Sequence, residues 1–157
     1  MRYLLLAVSF MLFSGMNTVF AADAGVMISD QWVREAPPNM PMMAGYMTIM
    51  NMSKHEQSLV GASSPQFKMV ELHRSIEENG MSKMIAQKKV DIPAGKSVEF
   101  KPGSYHLMLM HPLKPLKAGD TVEFTLKFSN GDTKAFTAPV KKSNGGHEQM
   151  HMHMDMK

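Results

Sequence analysis

The stretch HLMLM, residues 106–110, decides both the fold class and the candidate site of this chain. In an extended strand alternate side chains share one face, so Leu107 and Leu109 point one way while the histidine and the two methionines point the other. We expect the two leucines to pack in a hydrophobic core. The stretch therefore predicts a β-strand with one apolar face and one face of nitrogen and sulfur side chains.

Short strands separated by turns fill the chain on both sides of this stretch. The extended runs between residues 27 and 140 are MISDQWVR, AGYMTIM, SLVGAS, FKMVELH, SVEF, YHLMLM, TVEFTLKF and TKAFTAPV. Clusters rich in Gly, Pro, Asn and Asp separate them, for example NGM at 79–81 and PAGK at 93–96. No segment has a convincing helical period. The pattern predicts an all-β sandwich of eight or nine antiparallel strands in two sheets.

The amino-terminal residues have the composition of a cleaved signal peptide. Arg2 gives a positive start, Tyr3–Phe13 is almost wholly apolar, and Val19-Phe20-Ala21 suits a signal peptidase. The apolar run is about half of the roughly 20 residues that span a bilayer. We expect a signal peptide over 1–21, one β-sandwich domain over 22–142, and no membrane span after processing. An uncleaved membrane anchor is the alternative.

Methionine is unusually frequent and cysteine is absent, since the 157 residues include 19 Met and no Cys. Sulfur that cannot form disulfides suits an oxidising compartment, where thiols would oxidise or pair. The formal charge of +3 is small and scattered, so nucleic acid is not an expected partner. A blue-copper electron carrier needs a Cys thiolate beside its histidines, and this chain has none.

The strongest candidate metal site consists of His73, Met84, His106 and Met108. Ten residues separate His73 from Met84, and twenty-one separate Met84 from His106. A thioether is a soft ligand with no proton to lose, and imidazole binds several first-row metals, copper among them. A site that combines both ligand types selects Cu(I) over zinc, calcium or magnesium.

Strand alternation gives these four residues an expected geometry. His73 ends the run FKMVELH, where it could face residues 106 and 108 across a rim. Met84 follows the NGM turn, on the returning arm of a hairpin, and could close the set. A methionine on a strand more often fills a gap in a core. Met81 could also replace Met84.

Other methionines lie near these four in the sequence. Met40, Met42 and Met43 are expected in a proline-bounded loop that could flank the copper. Met110 shares the face of the candidate ligands, and for it we expect a structural role.

The four residues and their spacing resemble the signature of the periplasmic PCuAC copper chaperones, which is His, ten residues, Met, twenty-one residues and His-x-Met. The resemblance extends through WVREAPPNMPMMAGYMTIMN, SSPQFKMVELHRSIEENGMSKM and IPAGKSVEFKPGSYHLMLM. It implies a cupredoxin-like Greek-key β-sandwich that binds Cu(I) through two histidines and two methionines.

The resemblance also implies a function. It predicts a periplasmic carrier that delivers copper toward the dinuclear copper centre of cytochrome c oxidase, and we expect this carrier to be a monomer. The recipient would be an apo oxidase copper-site domain or another periplasmic copper-transfer protein. A copper buffering or resistance protein without a dedicated oxidase recipient is one alternative, and a redox-active copper protein is another.

Residues 143–157, SNGGHEQMHMHMDMK, form a second candidate metal-binding segment. The segment has no apolar period for a core, and we expect it to be disordered without metal. Imidazole suits Cu(II) and thioether suits Cu(I), so the alternation predicts a flexible tail that binds copper in both states. An inert tail is the alternative. The candidate ligands are His147, Met150, His151, Met152, His153, Met154 and Met156.

No set of residues predicts an enzyme. Glu71 shares the face of His73, but one carboxylate on a strand is usually a solvated surface group. The sequence has no Ser/His/Asp arrangement, no phosphate-binding loop and no paired carboxylates with a plausible shared site.

Overall fold

The structure is a computed structural model that describes residues 25–37 and 40–142. Regular structure in these ranges is entirely β. The strands are β1 (Val26–Arg34), β2 (Met42–Asn51), β3 (Gln57–Ser63), β4 (Phe67–Glu78), β5 (Met81–Ala86), β6 (Val90–Ile92), β7 (Ser97–Phe100), β8 (Tyr105–Pro112), β9 (Thr121–Phe128) and β10 (Thr133–Lys141). The described residues include no helix long and apolar enough to cross a membrane.

Hydrogen bonds link the strands in the order β5-β4-β8-β7-β2-β1-β10-β9-β3-β6, and β8 also pairs with β2. A parallel pairing of β1 with β10, through Val33 and Val140, joins a six-strand part to a four-strand part. The two parts pack face to face, because a Cβ placed on Gly45 of β2 would lie 3.5 Å from Cζ of Phe124 on β9. The predicted all-β sandwich is confirmed.

The hydrophobic core lies between the two parts and follows from strand alternation. Every second residue of β9 is buried, from Val122 to Phe128. From the facing part, β8 contributes Leu107 and Leu109, whose exposed fractions are 1% and 0%. Both leucines are core residues, as predicted. His106, Met108 and Met110, which alternate with the two leucines, therefore lie on the outer face of the six-strand part.

The number of sheets, the strand count and two pairings differ from the prediction. Two sheets were predicted, but hydrogen bonds join the ten strands of the described residues into one sheet that folds over on itself. The eight extended runs in the sequence and the predicted hairpin arm that carries Met84 correspond to nine of the strands. The tenth is β6, which has only three residues. A segment this short cannot show an alternating pattern, so it was missed. The pairings of β1 with β10 and of β7 with β8 are parallel, whereas all strands were predicted antiparallel.

The predicted signal peptide, residues 1–21, and the predicted tail, residues 143–157, lie outside the described residues. Both stay predictions. The predicted domain boundaries, residues 22–142, stay a prediction as well.

Candidate metal centre

The centre is built on the pairing of β4 with β8, which places His73 directly opposite His106. Paired residues of neighbouring strands point to the same face. The two imidazole rings accordingly lie with their centroids 5.8 Å apart. His73 was predicted at the end of its strand, but it lies inside β4, which continues to Glu78. The two histidines therefore lie within the outer face of the sheet and not at its rim. The predicted position of His73, at a strand end and across a rim from residues 106 and 108, is wrong.

The contact with Glu71 sets the tautomer of the His73 ring. His73 Nε2 lies 2.8 Å from the Glu71 carboxylate, and the His73 side chain is only 14% exposed. A carboxylate accepts, so Nε2 carries the donated proton and the neutral ring keeps a lone pair on Nδ1. Nδ1 is buried and has no hydrogen-bond partner.

The second ring is oriented by a backbone carbonyl. His106 is 3% exposed, and its Nδ1 donates a hydrogen bond to the carbonyl oxygen of Ser104 at 3.2 Å. In the neutral ring the lone pair then lies on Nε2, which is buried and unpartnered. Burial lowers the pKa of His106, opposed by the Ser104 hydrogen bond and reinforced by the nearby charges of His73 and Arg34. The ring is thus held in the neutral form that a metal requires.

Two buried ring nitrogens without partners fit a metal ion. Leaving a buried polar atom unsatisfied costs about 1–3 kcal/mol, so such atoms point to a ligand. His73 Nδ1 and His106 Nε2 are both lone-pair donors, on neighbouring rings whose planes are tilted by 49°. Among the described residues no group of three or more His, Cys, Asp or Glu side chains is placed to hold a metal.

Two thioethers lie on the same face as the imidazoles. Met108 is directly opposite Glu71 and is half-buried. Met84 is directly opposite Ser75, and alternation puts Ser75 on the face of His73. Met84 is 42% exposed. The structure thus brings the two histidines and Met108 together on adjacent strands, with Met84 one strand further out.

The turn between β4 and β5 determines which methionine joins this face. Asn79 and Gly80 have φ values of 54° and 75°, the two left-handed residues of a type I′ hairpin turn. The resulting register pairs Met81 with Glu78, on the face opposite to Met84. Between the two alternatives from the sequence, only Met84 faces the histidines.

The remaining methionines near the site have mixed positions. Met42 and Met43 were predicted in a loop, but both lie in β2, where pairing with β8 extends the strand to Met42. Met43 is 4% exposed and belongs to the core, so it does not flank the site. Met42 and Met110 are paired on the outer face, and Met40 is half-buried in the loop before β2. The candidate ligands of the tail lie outside the described residues.

Two contributors to the site were not identified from the sequence. Glu71 was interpreted as a solvated carboxylate, although its alternation with His73 signalled a shared face. The role of the Ser104 carbonyl could not be found from the sequence, because every residue has a backbone carbonyl. The position of this carbonyl depends on the turn before β8.

Comparisons with known proteins agree with this architecture. A family model described as "Putative lipoprotein LpqE-like" matches residues 26–140. The relative "Putative lipoprotein Lxx21020" of Leifsonia xyli subsp. xyli is 35% identical over 125 residues, covering 79% of this chain and 74% of the relative. The solution structure of Cu(I)-DR1885 from Deinococcus radiodurans is 34% identical, with a TM-score of 0.61 over 76% of this chain and 82% of that chain.

A more distant structure shows the same fold. The copper-bound PCuAC domain from PmoF2 is 22% identical, with a TM-score of 0.65 over 78% of this chain and 97% of that domain. The predicted cupredoxin-like Greek-key sandwich is thereby confirmed. Because the family model spans most of the chain and the fold is that of the PCuAC domains, the chain belongs to the LpqE-like family of PCuAC-type proteins.

Proposed function

We propose that this protein is an extracytoplasmic copper carrier that binds Cu(I) on the outer face of β4, β5 and β8 and passes it to another protein. The observation that carries the proposal is the pair of buried, unpartnered nitrogens, His73 Nδ1 and His106 Nε2, on rings 5.8 Å apart. The likeness to Cu(I)-DR1885 supports the choice of metal.

Each ligand has a distinct role in this proposal. His73 and His106 provide rigid nitrogen donors whose tautomers are set by Glu71 and by a backbone carbonyl. Met108 supplies a half-buried sulfur on the same strand as His106. Met84 lies on β5, the edge strand of the sheet, and is the most exposed of the four ligands.

The exposure of Met84 favours a carrier over a permanent metal site. A metal that is handed over must exchange its ligands one at a time with those of the recipient. The ligand at the exposed edge can leave first, while the two imidazoles stay fixed by their hydrogen bonds. Thioether and neutral imidazole both stabilise Cu(I), and neither needs to lose a proton at neutral pH.

Cu(I) binding is tested by competition with a chromophoric Cu(I) chelator and by X-ray absorption. We expect one tight Cu(I) per domain with mixed nitrogen and sulfur ligation. His73→Asn and His106→Asn should each weaken it strongly. The matched control is His111→Asn, because His111 is exposed and its φ of 53° is one that Asn adopts readily. Equal loss in the control variant would refute the two-histidine site.

The finer proposal is delivery in the periplasm to the dinuclear copper centre of cytochrome c oxidase. Cu(I)-loaded protein is mixed with the purified apo copper domain of the oxidase, and the two are separated and analysed for metal. Transfer to the apo domain supports delivery. Retention of copper, together with normal oxidase assembly in a deletion strain, would instead support a copper buffering or resistance protein.

A further inference from the structure

A row of three methionines crosses the outer face beyond the histidine pair. Met110 of β8 is directly opposite Met42 of β2 on one side and Met69 of β4 on the other. Paired side chains share a face, and their Cβ atoms lie about 4.5–5.5 Å apart. The register therefore places three thioethers side by side on adjacent strands.

These methionines are not needed to fill the core. The inward row beside them consists of Met43, Leu109 and Val70, which are paired in the same way and pack in the hydrophobic core. Met69 is 47% exposed, and Met42 and Met110 are half-buried. The usual explanation of a strand methionine, as adaptable core filler, does not apply to this row.

The outer face of the other part of the sandwich has ordinary surface chemistry. The exposed residues of β9 alternate with its core residues and are Thr121, Glu123, Thr125 and Lys127. Polar outward residues are the norm for a solvated sheet face. The outward residues of β8 are instead a histidine and two methionines, so this face departs from the norm where the metal chemistry lies.

We propose that Met42, Met69 and Met110 form a second, all-thioether site for Cu(I), which fills after the histidine site. Three neutral, soft sulfur ligands suit a soft monovalent cation and offer nothing to Mg²⁺, Ca²⁺ or Zn²⁺. Half-exposure of the row leaves it open to copper arriving from solution or from another protein.

The position of the row connects it to the histidine site. Residues two apart on a strand are about 7 Å apart, and Met108 lies between Met110 and His106 on β8. Copper can therefore move from the thioether row to the histidines through Met108 in two short steps. The row binds copper by its own three sulfurs, so this site goes beyond the proposed function and does not require the histidine pair.

The test uses the full chain with ¹³C-labelled methionine methyl groups and Ag(I), a soft monovalent ion that does not change oxidation state. Each methyl signal is assigned from a Met→Leu variant. The signals of Met84 and Met108 should shift first. With more Ag(I), those of Met42, Met69 and Met110 should shift together. A residue-specific signal separates this binding from uptake by the methionines of residues 143–157.

Variants establish whether the three sulfurs act as one site. Met110→Leu preserves volume and should remove the shifts of the other two methionines. The His73→Asn/His106→Asn double variant should keep all three shifts. Loss of those shifts in the double variant would show that the methionine row does not bind metal independently of the histidines. Failure of the Met84 and Met108 signals to shift in the unmodified protein would instead count against the proposed function.

Exposed methionines outside the row provide the control. Met52 and Met81 are 61% and 60% exposed, and neither belongs to the paired row. If the three row signals shift no more than these two, the row is not a metal site.

Discussion

The ring of His73 shows how a single contact can prepare a metal ligand. Its Nε2–H donates to Glu71, which leaves Nδ1 free and fixes the ring plane. Partners of this kind are often as important to a metal site as the ligands, since losing one typically costs about 10–100-fold in metal affinity.

We therefore expect Glu71→Ala to weaken Cu(I) binding by about 10–100-fold, measured by competition with a chelator. Glu71→Gln should weaken it less, because the amide oxygen can still accept the hydrogen bond. Glu77→Ala is the control, since Glu77 is an exposed carboxylate further along the same strand. Equal affinities in the Ala variants of Glu71 and Glu77 would show that the contact does not position His73.

The lowered pKa of His106 gives the metal-free protein a defined pH dependence. Burial, the main cause, makes the folded protein bind this proton less readily than the unfolded chain, whose histidine titrates near 6.5. The contribution of His106 to stability is thus complete above about pH 6.5 and is lost progressively as the pH falls toward the lower folded value.

We expect the free energy of unfolding without metal to fall as the pH drops below about 6.5, measured by denaturant titration. His106→Asn should flatten this decrease, whereas the exposed-site variant His111→Asn should leave it nearly unchanged. Identical slopes in the two variants would show that His106 is not buried in its neutral form.

At the scale of elements, the hairpin of β4 and β5 decides which sulfur reaches the site. Its two-residue turn fixes the register, and a shift of one residue would move every β5 side chain to the other face. Met84→Leu should therefore weaken Cu(I) binding and remove one sulfur from the X-ray absorption spectrum. Met81→Leu should change neither, because Met81 points to the opposite face.

Both substitutions nearly preserve side-chain volume, so their effects on folding should be small and alike. Thermal unfolding of the two metal-free variants provides the check. Equal losses of copper affinity at residues 81 and 84 would contradict the register as the source of selectivity.

For the whole molecule, the domain is predicted to bind Cu(I), and the His/Met-rich tail to bind copper in both states and to provide most of the Cu(II) binding. Truncation after Gly146 removes three of the seven histidines and every tail methionine, but none of the ten strands that the described residues form. We expect the shortened protein to keep its Cu(I) affinity at the histidine site and its thermal stability, and to lose most Cu(II) binding. Parallel titrations of both forms with Cu(I) and Cu(II) measure this, and unchanged Cu(II) uptake would mean that the tail is inert.

The sequence contained the local part of this site but not its assembly. Alternation in HLMLM correctly separated Leu107 and Leu109 from the outward residues, because side-chain direction in a strand depends only on neighbours along the chain. The pairing of His73 with His106 depends on contacts between distant strands, so the sequence could not give their register. Roles that arise from such pairing, including the hydrogen bond of Glu71 and the burial of His106, became visible only in the structure.

The parallel pairing of β1 with β10 has a practical consequence for anyone who purifies this protein. It places Lys141, at the end of β10, beside Arg34 of β1. Arg34 is in turn paired with Ala44 of β2, and Ala44 is paired with Met108 of β8, so the end of β10 is level with the ligands across the sheet. The start of β1, by contrast, pairs with Asn51 at the far end of the sheet. A polyhistidine tag fused after residue 157 would be tethered on the side of the ligands and compete with them at high local concentration. An affinity handle placed before residue 25 is attached at the remote end, and it is the safer choice for every titration described above.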